Sequence, residues 1–294
     1  MAGKEITPGK YKMANPFSNG MAVVTDGTKY GYIDATGKEL IPLKFRQAAD
    51  FKNGLASVQE GDSWGCIDKT GKVIIPFKYL YEIHFSDGLG IIQDTNYKVG
   101  VIDSSGKVIV ALKYNQIEPY KQGMALTEMN DRYGFLNSAG VEVIPLEYKM
   151  ADTFSEGFAS VRFGDVTGYV DKKGTIRIKP QYSGCGCFLN GIALVTNYNE
   201  QTNKEQSWLI DTNGAIKATL PADMREDGKF SDGLMRMSMG GKSGYIDLNG
   251  KTVIPFEYES KEDFKNGIVH VYKNGKTGYI DKHNYCVICC WPAK

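Results

Sequence analysis

Residues 51–76 read FKNGLASVQEGDSWGCIDKTGKVIIP, and three landmarks in this stretch recur along the chain. The first is an aromatic residue three places before a glycine that opens an apolar run, here Phe51 and Gly54. The second is a glycine, an aromatic or apolar residue, an aliphatic residue and an aspartate, here Gly65-Cys66-Ile67-Asp68. The third is Gly-Lys-x-x-Ile-Pro, here Gly71 to Pro76. Outward from this stretch, the first glycine returns at Gly20, Gly88, Gly123, Gly157, Gly191, Gly233 and Gly267. The second landmark returns as Gly31-Tyr32-Ile33-Asp34, Gly100-Val101-Ile102-Asp103, Gly134-Phe135-Leu136-Asn137 and Gly168-Tyr169-Val170-Asp171. It recurs again, degenerate, at Leu209-Ile210-Asp211 and in full at Gly244-Tyr245-Ile246-Asp247 and Gly278-Tyr279-Ile280-Asp281. Linked landmarks at a spacing of about 34 residues are the signature of a tandem repeat array.

Each unit reads as three short strands rich in β-branched and aromatic residues and bounded by turn formers. In the quoted unit these are Leu55 to Val58, Trp64 to Ile67 and Val73 to Pro76, the last expected to stop at its proline. Asp-x-x-Gly joins the second strand to the third, as in Asp34 to Gly37. Asp accepts from nearby backbone N–H groups, and Gly takes the left-handed conformation that closes the hairpin. Adjacent residues such as Tyr32 and Ile33 are both apolar, although neighbours on a strand point to opposite faces. A sheet apolar on both faces must be covered on both faces, so sheet is expected to stack on sheet. The expected fold is all-β: about eight tandem three-stranded antiparallel meander repeats in a single repeat domain. A β-propeller-like ring is favoured and an open β-superhelix or solenoid is the alternative. The repeats are placed at approximately 11–44, 45–78, 79–113, 114–147, 148–181, 182–221, 222–257 and 258–294, after an extra amino-terminal strand over 4–10.

The constellation resembles the bacterial WG-repeat family, whose β-rich units carry Trp-Gly before the aliphatic-Asp pair and often end in Ile-Pro. Trp64-Gly65 matches the dipeptide itself; elsewhere Tyr30, Val99, Tyr133, Thr167, Ser243 or Thr277 stands in the Trp place. The resemblance covers about Lys4 to about Ile288. It implies a scaffold with no general catalytic motif and names no ligand.

Composition narrows the function. A formal charge of +1 supplies none of the basic field that nucleic acid binding requires. No apolar run approaches a membrane span, and the first residues form no signal peptide, so a cytoplasmic protein without a membrane partner is expected. The repeated aspartates read as turn formers rather than metal ligands. The six cysteines, at 66, 185, 187, 286, 289 and 290, read as free thiols, with the terminal ones small buried hydrophobes. No cofactor or metal is expected.

In a repeat array, function is expected where units differ. The third residue after the first-strand glycine varies (Val23, Ser57, Ile91, Leu126, Ser160, Leu194, Arg236, His270) and is expected to line a wall or channel. A longer loop at Asn197 to Gln206 and a lengthened linker at Met224 to Lys229 break the period. Candidate binding residues are Tyr30, Trp64, Tyr133, Tyr198, Arg236 and His270. The expected function is a non-enzymatic interaction scaffold for a protein partner, in one version an immunity or accessory protein that masks a toxin. The alternative is a glycan- or small-ligand-binding module that uses exposed Tyr and Trp, with a hydrolase behind both.

Overall fold

The computed structural model describes residues 9–199, 201 and 204–289, and every regular element among them is a β-strand. The amino-terminal strand expected over 4–10 lies outside the described residues except for Gly9 and Lys10, which form a turn. The chain divides into two compact units, residues 1–147 and 148–294. Among the described residues the first unit carries sheets 1 to 4 and the second carries sheets 5 to 8, with sheet 4 ending at the division.

Sheet 1 shows the plan. Its strands are Met13–Ala14, Met21–Thr25, Tyr30–Asp34 and Glu39–Phe45, and they neighbour one another in chain order as an antiparallel meander. The same order recurs in sheet 2 (47–79), sheet 3 (85–114), sheet 4 (116–148), sheet 5 (150–182), sheet 6 (184–219) and sheet 7 (225–258). Sheet 8 (268–289) has three strands among the described residues. Each four-stranded sheet thus adds a leading strand to the three expected, of two residues in sheets 1 to 6, such as Gln47–Ala48 pairing with Gln59 and Val58, and of seven, Arg225–Ser231, in sheet 7. The leading segment turns into the first strand through a two-residue hairpin. At Asn53 (φ 50°) and Gly54 (φ 86°) both central residues take positive φ, as a type I′ turn requires.

The Asp-x-x-Gly turns form as expected. Asp34 Oδ1 accepts from the N–H groups of Thr36 (2.9 Å) and Lys38 (3.1 Å), and Gly37, at φ 86°, donates its N–H to the Asp34 carbonyl. The Thr36 hydroxyl also donates to Oδ1 at 2.6 Å, and this bond leads in holding the Asp34 pKa below its usual value, with the N–H bonds adding to it.

The expected strand end at proline is corrected. The third strands run past Pro42, Pro76, Pro145 and Pro255 to Phe45, Tyr79, Tyr148 and Tyr258. In sheet 1 Tyr32 pairs with Ile41 and Tyr30 with Phe45, so three residues including Pro42 bulge opposite Gly31. The bulge relieves proline of ladder duty and presses backbone onto the second strand. A Cβ at Gly65 would lie 2.5 Å from the Ile75 carbonyl oxygen, and one at Gly31 would lie 2.6 Å from that of Ile41. The glycine of the Trp-Gly motif is therefore required by close backbone approach and not by a turn.

Core clusters run from sheet to sheet within each unit. Tyr32, Ile41 and Phe45 of sheet 1 join Phe51, Val58 and Ile67 of sheet 2, all buried. Tyr245 and Ile254 of sheet 7 join Phe264, Val269 and Ile280 around sheet 8 in the same way. Burying both faces of consecutive meanders is the main source of their stability.

Candidate functional site

The joints between neighbouring sheets come in two kinds. In the joint of sheets 1 and 2, the fully buried Tyr32 donates its hydroxyl to the Ala49 carbonyl at 2.7 Å. Its ring meets Phe51 edge-on with centroids 4.8 Å apart. Ser18 Oγ donates to the Phe51 carbonyl at 2.7 Å, so sheet 1 grips the leading segment of sheet 2 at two points. In the second unit, Tyr169 and Ser155 repeat this on Gly186 (2.6 Å) and Phe188 (2.6 Å). Tyr245 and Ser231 repeat it on Glu262 (2.7 Å) and Phe264 (2.5 Å). Burial raises the Tyr32 and Tyr169 hydroxyl pKa values and pushes that of Tyr245 up to about 12.

In the joint of sheets 2 and 3 the tyrosine place holds Cys66, which is fully buried. Seventeen residues after Tyr32 comes its acceptor Ala49; the same step from Cys66 reaches Ile83. Ile83 is buried and packs with Cys66, Ile75 and Ile92. Its N–H goes to Ser57 Oγ of sheet 2 at 3.0 Å. The equivalent N–H of Ala49 goes instead to the Ser57 carbonyl of its own sheet, at 2.9 Å. The segment after Leu80 is thus drawn onto sheet 2 and leaves the edge of its own first strand, Leu89–Gln93. Only Phe85–Ser86 rejoins that strand, opposite Gly90 and Leu89. Gly90 makes room for this course: a Cβ there would lie 2.8 Å from Ile83 Cγ2 and 2.9 Å from the Phe85 ring. Burial pushes the Cys66 thiol up to about 12, which removes it from nucleophilic chemistry near neutral pH.

On the other side of the displaced segment, in the joint of sheets 3 and 4, lies a cavity of about 480 Å³. Its apolar lining includes Leu89, Ile91, Val99 and Ile117, with Tyr81, Phe85 and Tyr120 supplying rings. Gln93, Asn115 and Gln116 supply amides. Tyr120 Oη is buried and has no hydrogen-bond partner among the described residues. Burial raises its pKa, so the hydroxyl is neutral. Ser86, which holds the place of Ser18, lines the cavity. Among the described residues the lining contains no Lys or Arg, and Glu82, 3.5 Å from His84 Nδ1, is its one carboxylate. Sheet 3 departs from the repeat a third time at Tyr97, which takes φ 60° in the turn between the first and second strands and is 68% exposed. A bulky side chain in this region is strained.

The residues singled out from sequence are placed elsewhere. Tyr30, Trp64 and Tyr133 lie at the first or second residue of the second strands of three different sheets; Trp64 is buried against the chain's own strands, and Tyr30 and Tyr133 are half-buried. Trp64 therefore presents no exposed indole. Tyr198 is exposed and pairs with Glu205 in the longer hairpin of sheet 6, part of which lies outside the described residues. Arg236 is 7% exposed. Its Nε lies 3.3 Å from Asp263 and 3.9 Å from Asp227, and its guanidinium reaches the carbonyls of Asp227 and Ser260. It clamps residues 227–229, which lie between Glu226 and Phe230 in the lengthened linker and stand opposite Arg236 alone. His270 lies 3.1 Å from Glu262, contacts Thr277 and packs against Tyr272 and Tyr279. Arg236 and His270 approach one another through Ser260, whose carbonyl accepts from the first and whose Oγ donates to the backbone of the second. Of the variable third positions, Ile91 lines the 480 Å³ cavity, whereas Ser57 and Ser160 line smaller ones.

The cysteine expectation needs a correction. Cys66, Cys185 and Cys187 are free, but Cys286 is disulfide-bonded and exposed, on the third strand of sheet 8, which has an exposed run over 286–288. Cys290 lies outside the described residues.

A chain of meander sheets joined through repeat-equivalent contacts defines a tandem β-repeat protein. It belongs to the WG-containing-repeat family, whose model matches residues 2–30, 30–63, 64–98, 100–133, 133–166, 168–200 and 244–276. No curated protein matches the chain. Among solved structures it is similar to the computationally designed Ika8 protein (13% identity, TM-score 0.43, 90% of this chain and 94% of that one). It is also similar to a eukaryotic initiation factor (12%, 0.46, 90% and 82%). A third is BamB from Moraxella catarrhalis (10%, 0.39, 95% and 94%). Similarities at this level transfer neither overall shape nor ligand.

Proposed function

We propose that this β-repeat scaffold is a non-enzymatic binding protein and that a protein partner is held at the opened joint of sheets 3 and 4. The observation that carries this reading is the 480 Å³ apolar cavity beside a strand edge from which the leading segment has withdrawn. Its volume falls within the range of about 300–1,000 Å³ typical of ligand sites, which are mostly apolar with a few placed polar groups. Binding is favoured over turnover because the groups that could do chemistry have structural work. The aspartates hold turns, Cys66 is a buried filler, and Arg236 clamps a linker. A protein is favoured over a glycan because most of the cavity lining is apolar and Trp64 is buried.

The test is affinity capture from the source cells with the wild type and with Ser86→Trp, which places an indole at the cavity from an exposed position. Loss of a captured protein in the variant is the expected result. Capture unchanged by Ser86→Trp but lost on trimming the hairpin around Tyr198 would move the site to sheet 6. Turnover of an ester, glycoside or peptide by the purified chain would contradict the non-enzymatic reading.

A further inference from the structure

We infer that the occupant of the opened joint is an extended, non-acidic peptide segment that places one apolar side chain in the cavity. This rests on the reading of that joint as the binding face and specifies its chemistry. Three features converge on a peptide unit. The first is the Ile91 carbonyl. Its counterpart at Ser57 accepts from Ala49 in the leading segment, but Ile83 has turned its N–H to Ser57 Oγ, so among the described residues Ile91 lacks that bond. An occupant lying along this edge has a carbonyl waiting for an N–H donor, the contact through which a strand is added to a sheet edge.

The second feature is Tyr120 Oη, buried and without a partner among the described residues. A buried hydroxyl left unpaired carries a desolvation cost that an acceptor on the occupant removes. A peptide carbonyl is such an acceptor. The third is the body of the cavity, walled by Leu89, Ile91, Val99 and Ile117, which favours an apolar side chain. Charge sharpens the choice. With no Lys or Arg in the lining and Glu82 at its side, an acidic occupant would lose its solvation and gain no counter-ion. One molecule that offers an N–H donor, a carbonyl acceptor and an apolar body together, without negative charge, is a peptide segment with an aliphatic or aromatic residue at its centre.

The experiment is an amide-detected NMR titration of the full chain with the capped tripeptide acetyl-glycyl-tryptophyl-glycinamide. Two further peptides serve as comparisons, one with glutamate in place of tryptophan and one with the tryptophan amide nitrogen methylated. The expected result is saturable shifts at Ile91, Gln93 and Gln116 with the tryptophan peptide and none with the glutamate peptide. Methylation, which removes the donor to Ile91, and Tyr120→Phe, which removes the hydroxyl, should each weaken binding by about fivefold or more. Ser86→Trp should block it, and unchanged amide spectra away from the joint would show that the variants are folded. Absence of binding to the wild type, or binding indifferent to both methylation and Tyr120→Phe, would overturn the inference. If that happened while Ser86→Trp still abolished capture of a cellular protein, the joint would stand as the binding face and the peptide chemistry alone would fall. If Ser86→Trp spared capture as well, both would fall.

Discussion

The joint of sheets 1 and 2 and the joint of sheets 3 and 4 are built from the same repeat, yet one is sealed and the other holds a cavity. In the first, Tyr32 fills the space between sheets and fastens the next leading segment by its hydroxyl, while Ser18 fastens it again. In the second, the tyrosine place holds Val101, Ser86 makes no equivalent grip, and the leading segment of sheet 3 has already been drawn to the opposite side by Cys66 and Ile83. The difference teaches that the residue in the tyrosine place decides whether a sheet can fasten the next leading segment by a hydroxyl. The site lies within sheets 2 to 4, whose tyrosine places hold Cys66, Val101 and Phe135.

The largest expected effect comes from breaking the sealed joint. Tyr32→Ala removes a buried ring and its hydroxyl bond and should destabilise the fold by about 3–5 kcal/mol, read from urea unfolding. Restoring the lock where it is missing should also cost stability, because Ile83 occupies the volume. Cys66→Tyr should lose about 1–3 kcal/mol by overpacking. Combining it with Ile83→Ala should cost less than the sum of the two single changes, the mark of residues that share one space. Gly90→Ala should cost about 1–2 kcal/mol, since its new methyl meets Ile83 Cγ2 at 2.8 Å, whereas Ala56 already stands at that place in sheet 2 without strain. Tyr32→Phe keeps the ring and loses only the bond to Ala49, so about 1 kcal/mol is expected.

A pH series separates the locks from the rest of the core. The folded state raises the Tyr245 pKa from 10.0 to about 12, chiefly by burial. It therefore keeps its proton where the unfolded chain releases it. This contribution is full below pH 10 and is lost as pH rises through about 12. Alkaline melts of Tyr245→Phe should show a shallower loss over that window than the wild type.

Much of the fold was legible in the sequence because its causes are local. The Asp34-to-Gly37 turn, the strands around it and the two-sided apolar pattern each follow from a few adjacent residues. The short leading strands were not read, since two residues such as Gln47–Ala48 carry no alternation. The signal that marks them was the Asn53-Gly54 pair and its Asn-Gly or Asp-Gly counterparts at Asn19, Asp87, Asn190, Asp232 and Asn266. The site was legible only in fragments. Ile91 stood among the variable positions, and Cys66 and Gly90 were visible as exceptions in their columns. Their consequence depends on which backbone lies 17 residues further on, a relation between sheets that no local pattern states. Tyr30, Trp64 and Tyr133 were singled out because they hold the family's Trp place, but that place serves the second strand of each sheet.

The most direct test is methyl NMR of the full chain with a neutral nitroxide cosolute, which broadens methyl groups that solvent molecules can approach. The account predicts strong broadening of Leu89 and Ile91 in the opened joint and little at Met21 and Val23, which are 3% exposed in the sealed one. Equal protection of all four would contradict it.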